Sequence, residues 1–178
     1  SKENWGKIIA FWEMRLRYLA RYFDLIRLDY AKAFFNYGIM DAENILNDGY
    51  RKGPGSKVFE NLIKFSKQCG LTVFAEDTGN KTEEIRKSLK VLKSPGIKIF
   101  RFALDEKKDK IVDEYADVVH YPALTVAYTT THDTETLLGY LNNLKIEQKR
   151  RLAGNANVEY DPDDKIFAKR LRDAVLAS

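Results

Sequence analysis

Apolar residues in WGKIIAFWEMRLRYLARYF recur at helical spacing, with Trp5, Ile8, Ile9, Trp12, Leu16, Leu19 and Tyr22 or Phe23 on one face, and predict a long amphipathic helix. The period then changes. FDLIRLD is a short run rich in branched residues and reads as a strand ending near Asp29. Between Tyr30 and Lys52 the pattern is irregular, and NDGYRKGPG is a turn or loop signal. A second helix runs from Ser56 to Cys69 through Val58, Phe59, Leu62, Ile63 and Phe65, and LTVFAED is the second strand. Thr82 heads a helix to about Leu92, where TEEI resembles a capping box with imperfect spacing. SPGIKIFRFAL makes a turn and a third strand, the run from Asp105 to Lys110 is a solvated loop or helix, and LTVAYTTTHD is a fourth strand. ETLLGYLNNL is helical, and KRLRDAVLAS reads as the end of an amphipathic helix.

Helices alternating with short, nearly continuous apolar strands imply a parallel sheet covered by helices, because such strands are buried on both faces. The expected class is α/β, with about four parallel strands. In such folds the ligand site lies at the carboxyl ends of the strands. Asp29 ends the first strand, Glu76 the second, and Asp133 follows the fourth, so all three carboxylates are expected on one rim. Their separations suit one βα unit and then two, given that a crossover takes about 30 residues or more. The alternative for Glu76 and Asp77 is a pair of solvated acids capping the next helix.

Composition narrows the function. At 178 residues, 44% hydrophobic and 12% aromatic, the chain is one domain's worth and can bury a sizeable core. A net charge of +4 and a pI near 9.0 permit a nucleic-acid partner taken alone. The distribution argues against one, since KTEEIRKSLK and DEKKDK interleave bases with acids as solvated faces do. No run approaches a membrane span, SKENWGKII lacks the order of a signal peptide, and no linker or repeat interrupts the chain. A lone Cys69 beside Gly70 reads as a packed or idle thiol, which fits a reducing, cytoplasmic compartment.

Three carboxylates suit either a divalent cation or glycosyl transfer. Arg27 decides between them. It lies two residues before Asp29 on a strand of period two, hence on the same side, where a guanidinium keeps a carboxylate ionised and repels a metal. Glycosyl transfer, in which one ionised carboxylate attacks and another carries the proton, fits better. No metal and no cofactor is called for.

LIRLDYAKAF, GYRKGPG, VFAEDTG, SPGIKIFRFAL and VAYTTTHDTET, in this order, resemble the successive motifs of the 4-alpha-glucanotransferases, also called amylomaltases or disproportionating enzymes. The resemblance runs from the first helix to about Leu144. It implies a portion of a (β/α)8 TIM barrel, with residues 1–178 a fragment of a single catalytic domain, inactive alone. It also implies transfer of alpha-1,4-glucan segments between maltooligosaccharides by a retaining double displacement. Asp29 is then the nucleophile. Glu76 is the general acid and base, its pKa expected to be raised by apolar neighbours and the paired acids, and Asp133 holds sugar hydroxyls at the attacked ring. Arg27 orients Asp29, His132 donates a hydrogen bond to a sugar hydroxyl, and Asp77 gives support. Tyr50 lies in the loop that covers the sugar in this family, as a stacking residue. Trp5 and Trp12 are expected in the core.

The departures from the family pattern are specific. Tyr30 stands where the family has a histidine after the nucleophile, a substitution that keeps a hydrogen-bonding group with a different reach to the sugar. Lys32 and Ala33 replace an arginine and a glycine, Thr78 replaces the leucine after Ala-Glu-Asp, and Thr134, Glu135 and Thr136 alter the run after Thr-His-Asp. Bland readings stand beside the sharp ones: Arg27 and Asp29 as a structural ion pair, His132 as a satisfied buried histidine. Two other function classes share these residues, an alpha-amylase-like glucan hydrolase and a non-catalytic glucan-binding module. Oligomeric state and preferred chain length leave no mark in the sequence.

Overall fold

The computed structural model describes residues 2–38, 50–79 and 82–178, without the side chains of residues 2–5 and 50. Two compact units divide the chain, Ser1–Gly96 and Ile97–Ser178, and each has its own core.

The first unit opens with α1, Lys2–Leu19, four residues shorter at its end than the apolar period suggests. Ala20 to Phe23 continue as hydrogen-bonded turns, with Phe23 N donating to Leu19 O at 3.0 Å. Leu16 is buried, and Trp12 and Leu19 pack beside it on the core. The strands β1, Leu25–Leu28, and β4, Thr72–Ala75, pair in parallel with Leu25 opposite Thr72 and Leu28 opposite Ala75. Between them lie a 3₁₀ turn over Ala31–Phe34, the short strands β2, Asn36–Gly38, and β3, Tyr50–Lys52, and helix α2, Ser56–Gln68. Helix α3, Glu83–Leu92, follows β4. The amphipathic faces of α2 and α3 bury Phe59, Leu62, Ile63, Ile85 and Leu89 against Val73 and Ala75, the arrangement expected of a parallel pair covered by helices. Thr82 sits at the N-cap of α3 without a side-chain capping bond, so the imperfect TEEI spacing forms no capping box.

The irregular stretch contains an antiparallel pair, β2 with β3, in which Gly38 faces Tyr50. Tyr50 is therefore a strand residue in its backbone, and its proposed stacking role concerns a side chain outside the described residues. The turn after β3 is seated on the 3₁₀ turn: Gly53 N donates to Phe35 O at 2.8 Å and Gly55 N to Phe34 O at 2.7 Å. A Cβ on Gly53 would lie 2.3 Å from Phe34 O and 2.5 Å from Ala33 O, both backbone atoms that cannot swing aside. Gly53→Ala should accordingly cost roughly 3 kcal/mol, the upper end of overpacking effects. Gly6→Ala, with open space around its Cβ, should stabilise α1 by about 1 kcal/mol. Urea unfolding of both variants checks the pair.

Strand β5, Gly96–Ile99, starts on the last residue of the first unit and leads into the second, followed by a 3₁₀ turn over Phe100–Ala103 and a small hairpin of β6, Leu104–Asp105, and β7, Lys110–Ile111. That hairpin occupies the run expected to be loop or helix. After α4, Asp113–Ala116, comes β8, Thr125–Tyr128, which is hydrogen-bonded to β5. The predicted fourth strand thus ends five residues before Asp133. Three helices complete the unit: α5, Leu137–Asn142, α6, Ile146–Asn155, and α7, Asp164–Leu176. Their apolar faces meet through Tyr140, Leu141, Leu152, Phe167 and Leu171, all fully buried. Lys149 and Asp164 pair between α6 and α7 at 2.6 Å, the lysine buried and the aspartate partly exposed. No described helix is long and apolar enough to cross a membrane.

Candidate active site

Period-two alternation in β1 turns Ile26 and Leu28 toward the core and leaves Arg27 and Asp29 on the other face. The parallel register does the rest. Leu28 faces Ala75, so one step further Asp29 stands opposite Glu76, and the ladder reaches that point because Glu76 N donates to Leu28 O at 3.0 Å. Adjacent strands lie about 4.8 Å apart, which brings the two acids side by side at the carboxyl ends of β1 and β4.

Arg27 joins them. Its Nη2 lies 2.6 Å from Asp29 Oδ1 and 3.3 Å from Glu76 Oε2, with the arginine side chain 17% exposed and Asp29 60% exposed. Since both oxygens touch one nitrogen, they are no more than about 6 Å apart. Partial burial pulls the guanidinium pKa down, but the charges of Asp29 and Glu76 and their hydrogen bonds outweigh it and the net shift is upward. Arg27 stays a cation at every pH of interest. Arg27 Nε is buried without a hydrogen-bond partner among the described residues.

The carboxylate of Glu76 meets donors where apolar neighbours were expected. Tyr30 N donates to Oε2 at 2.9 Å, Arg27 reaches the same oxygen, and Thr78 Oγ1 donates to Oε1 at 3.3 Å. Tyr30 has φ 46° and ψ 39°, the left-handed region that few non-glycine residues occupy, and this backbone turn aims its N–H at Glu76. The Tyr30 ring is half exposed, with Lys32 Nζ 5.3 Å from its centroid. Thr78 was visible in the sequence only as the departure from leucine.

Asp77 points elsewhere. Its side chain is buried, Arg86 Nε lies 3.3 Å from Oδ2, and the same arginine donates to the Asp77 carbonyl at 3.0 and 3.1 Å. Gly96 makes room for it, because a Cβ there would lie 2.7 Å from Asp77 Oδ2. This pairing fits a supporting residue.

In the second unit, His132 and Asp133 sit in the loop between β8 and α5, with His132 Nε2 3.4 Å from Asp133 Oδ1. His132 is 71% exposed, so the reading of a satisfied buried histidine fails. Behind the loop, Arg101 Nη2 binds Glu106 at 2.8 Å and Glu135 at 3.0 Å, an arrangement that composition and spacing did not announce. Its hydrogen bond holds the Glu135 carboxyl below the usual carboxylate range. The contribution of the pair is therefore present above the ordinary glutamate pKa and is lost as pH falls through the lowered value. Among the described residues no cluster of three or more His, Cys, Asp or Glu side chains is arranged to hold a metal ion.

One arginine thus holds two carboxylates together at the carboxyl ends of adjacent parallel strands. The profile of the 4-alpha-glucanotransferase family matches residues 7–178, and the chain belongs to that family. A 4-alpha-glucanotransferase of Streptococcus pneumoniae is 34% identical over 154 residues, 78% of this chain and 29% of that protein. The Aquifex aeolicus 4-alpha-glucanotransferase is 28% identical over 144 residues, 80% of this chain and 28% of its own length. Among solved structures, amylomaltase from Streptococcus agalactiae in complex with acarbose superposes with a TM-score of 0.71 at 24% identity, over 90% of this chain and 32% of that one. The chain thus spans less than a third of these relatives. The shared fold is α/β, a portion of a (β/α)8 barrel, as the sequence leads one to expect.

Proposed function

We propose that the protein carrying this chain transfers alpha-1,4-glucan segments from one maltooligosaccharide to another by a retaining double displacement. The observation that carries this reading is the single guanidinium nitrogen of Arg27 shared by Asp29 and Glu76. Bound oxygens at most about 6 Å apart are compatible with the ~5–5.5 Å carboxyl spacing of retaining enzymes. Asp29, exposed and paired with the arginine, attacks the anomeric carbon and displaces the leaving sugar. Glu76 protonates the departing oxygen, then takes the proton of the incoming sugar hydroxyl as the covalent bond to Asp29 breaks. Asp133 holds hydroxyls of the attacked ring and favours its oxocarbenium-like state. His132, Tyr30 and Tyr50 are assigned to sugar contacts, by hydrogen bonding and stacking.

The barrel portion belongs, in this reading, to one catalytic domain, and neither metal nor organic cofactor takes part. Work in a reducing, cytoplasmic compartment is supported by the lone cysteine, a free thiol. Incubation of the protein carrying this chain with maltotriose tests the reading. Transfer gives longer glucans together with glucose; maltose and glucose alone would mean hydrolysis, and no turnover would leave a binding module.

A further inference from the structure

Asp133 owes its place to its loop. Its side chain is 66% exposed, and its described contacts are His132 Nε2 at 3.4 Å and a weak bond from its own N–H to Thr131 Oγ1 at 3.4 Å. Within the loop, Thr134 N donates to Thr131 O and Thr131 N to Thr134 Oγ1, both at 3.2 Å. These bonds shape a turn without anchoring it.

Arg101 supplies the anchor. From the 3₁₀ turn after β5, its backbone N–H donates to Thr129 O at 2.9 Å, where the loop leaves β8. Its Nη2 binds Glu135 at 3.0 Å, where the loop enters α5. One residue therefore grips both ends of the segment that carries His132 and Asp133. The same Nη2 also meets Glu106 at 2.8 Å, and the guanidinium lies against the Tyr140 ring, 4.2 Å from its centre. One nitrogen of the guanidinium meets both carboxylates while its flat face lies against the Tyr140 ring, and a lysine could reproduce the point contact but not the planar stacking. The arrangement has a cost: Arg101 Nε and the Tyr140 hydroxyl are both buried without a hydrogen-bond partner among the described residues. The Arg101 side chain is 19% exposed, so its pairing with Glu135 is less screened than that of a surface ion pair.

We propose that Arg101 is a positioning residue that, through Thr129 and Glu135, holds the Asp133 loop in its working conformation. Its catalytic consequence rests on the proposed glucan transfer, while the mechanical part does not. In that reaction the loop delivers Asp133 to the distorted ring, so loosening it weakens an interaction made chiefly in the transition state.

The test uses the protein carrying this chain as Arg101→Gln, Arg101→Lys, Glu135→Gln and the double variant R101Q/E135Q. Amide hydrogen exchange is followed across residues 130–136, with kcat and KM for maltotriose measured in parallel. Arg101→Gln should speed exchange in the loop about tenfold or more, the scale of a lost charged hydrogen bond, while α6 and α7 exchange as before. It should lower kcat by about 10²-fold, as misplacement of a group near the chemistry does, with little change in KM. Arg101→Lys should recover only part of both, and the double variant should lose no more than the worse single one. Unchanged loop exchange in any folded Arg101 variant, exchange rising equally through the unit, or losses that multiply in the double variant would overturn the proposal. Where Arg101→Gln fails to fold, Glu135→Gln carries the same comparison with a smaller disturbance. A wild-type protein whose loop responds as described but which transfers no glucan sinks the functional reading and leaves the clamp standing.

Discussion

Glu76→Gln in the protein carrying this chain is expected to lower turnover on maltotriose by about 10²–10⁴-fold, the usual worth of a general acid and base. Binding should survive, because the amide is nearly the same shape. The Tyr30 N–H and the Arg27 guanidinium now bind Oε2, and an amide oxygen can accept both. What the amide lacks is a proton to exchange. The loss should therefore depend on the leaving group: a sugar alcohol needs protonation, whereas the fluoride of an alpha-maltosyl fluoride donor does not. Initial rates on the two donors check this, and the defect should be largest on maltotriose. A non-catalytic glucan-binding module would behave identically with glutamate or glutamine.

Removing the shared cation should be nearly as damaging. Arg27→Met leaves two carboxylates within about 6 Å of each other without their common counter-ion; with Asp29 60% exposed, solvent screening keeps the direct cost in stability at about 1 kcal/mol. Some of that cost is relieved by protonating one acid, which removes the charge that Asp29 needs for attack. We expect kcat/KM to fall by about 10²–10³-fold. The sign of the pH effect follows from the cation's role: Arg27 favours the ionised form of Asp29, so with Arg27 gone the acid limb of the kcat/KM profile moves upward. A profile that keeps its acid limb while the protein merely becomes less stable would identify Arg27 as structural. Measuring kcat/KM from pH 4 to 9 beside the urea midpoint separates the two.

The core of this site was legible because it depends on the shortest-range rules. Period two in LIRLD put Arg27 and Asp29 on one side, and two apolar runs separated by a helical one implied a parallel pair ending in Asp29 and Glu76. The surroundings of Glu76 were not legible. They depend on the left-handed backbone of Tyr30, a conformation that glycine or asparagine signals and a tyrosine does not. The expected apolar setting missed the N–H that this turn delivers. The pairing of β2 and β3 was hidden for another reason: three-residue strands are too short to show alternation, and Asn36 and Gly38 are poor strand formers. Arg101 and Glu135 lie far apart in sequence within unlike motifs, so only packing of the turn after β5 behind the loop after β8 reveals them.

The most direct measurement is capture of the covalent intermediate. Glu76→Gln, supplied with an alpha-maltosyl fluoride donor and no acceptor, should form a glycosyl ester that cannot be turned over efficiently, and peptide mass spectrometry should find the added mass on Asp29. Adduct on any other carboxylate, or products of the unmodified protein with inverted anomeric configuration, would contradict the account.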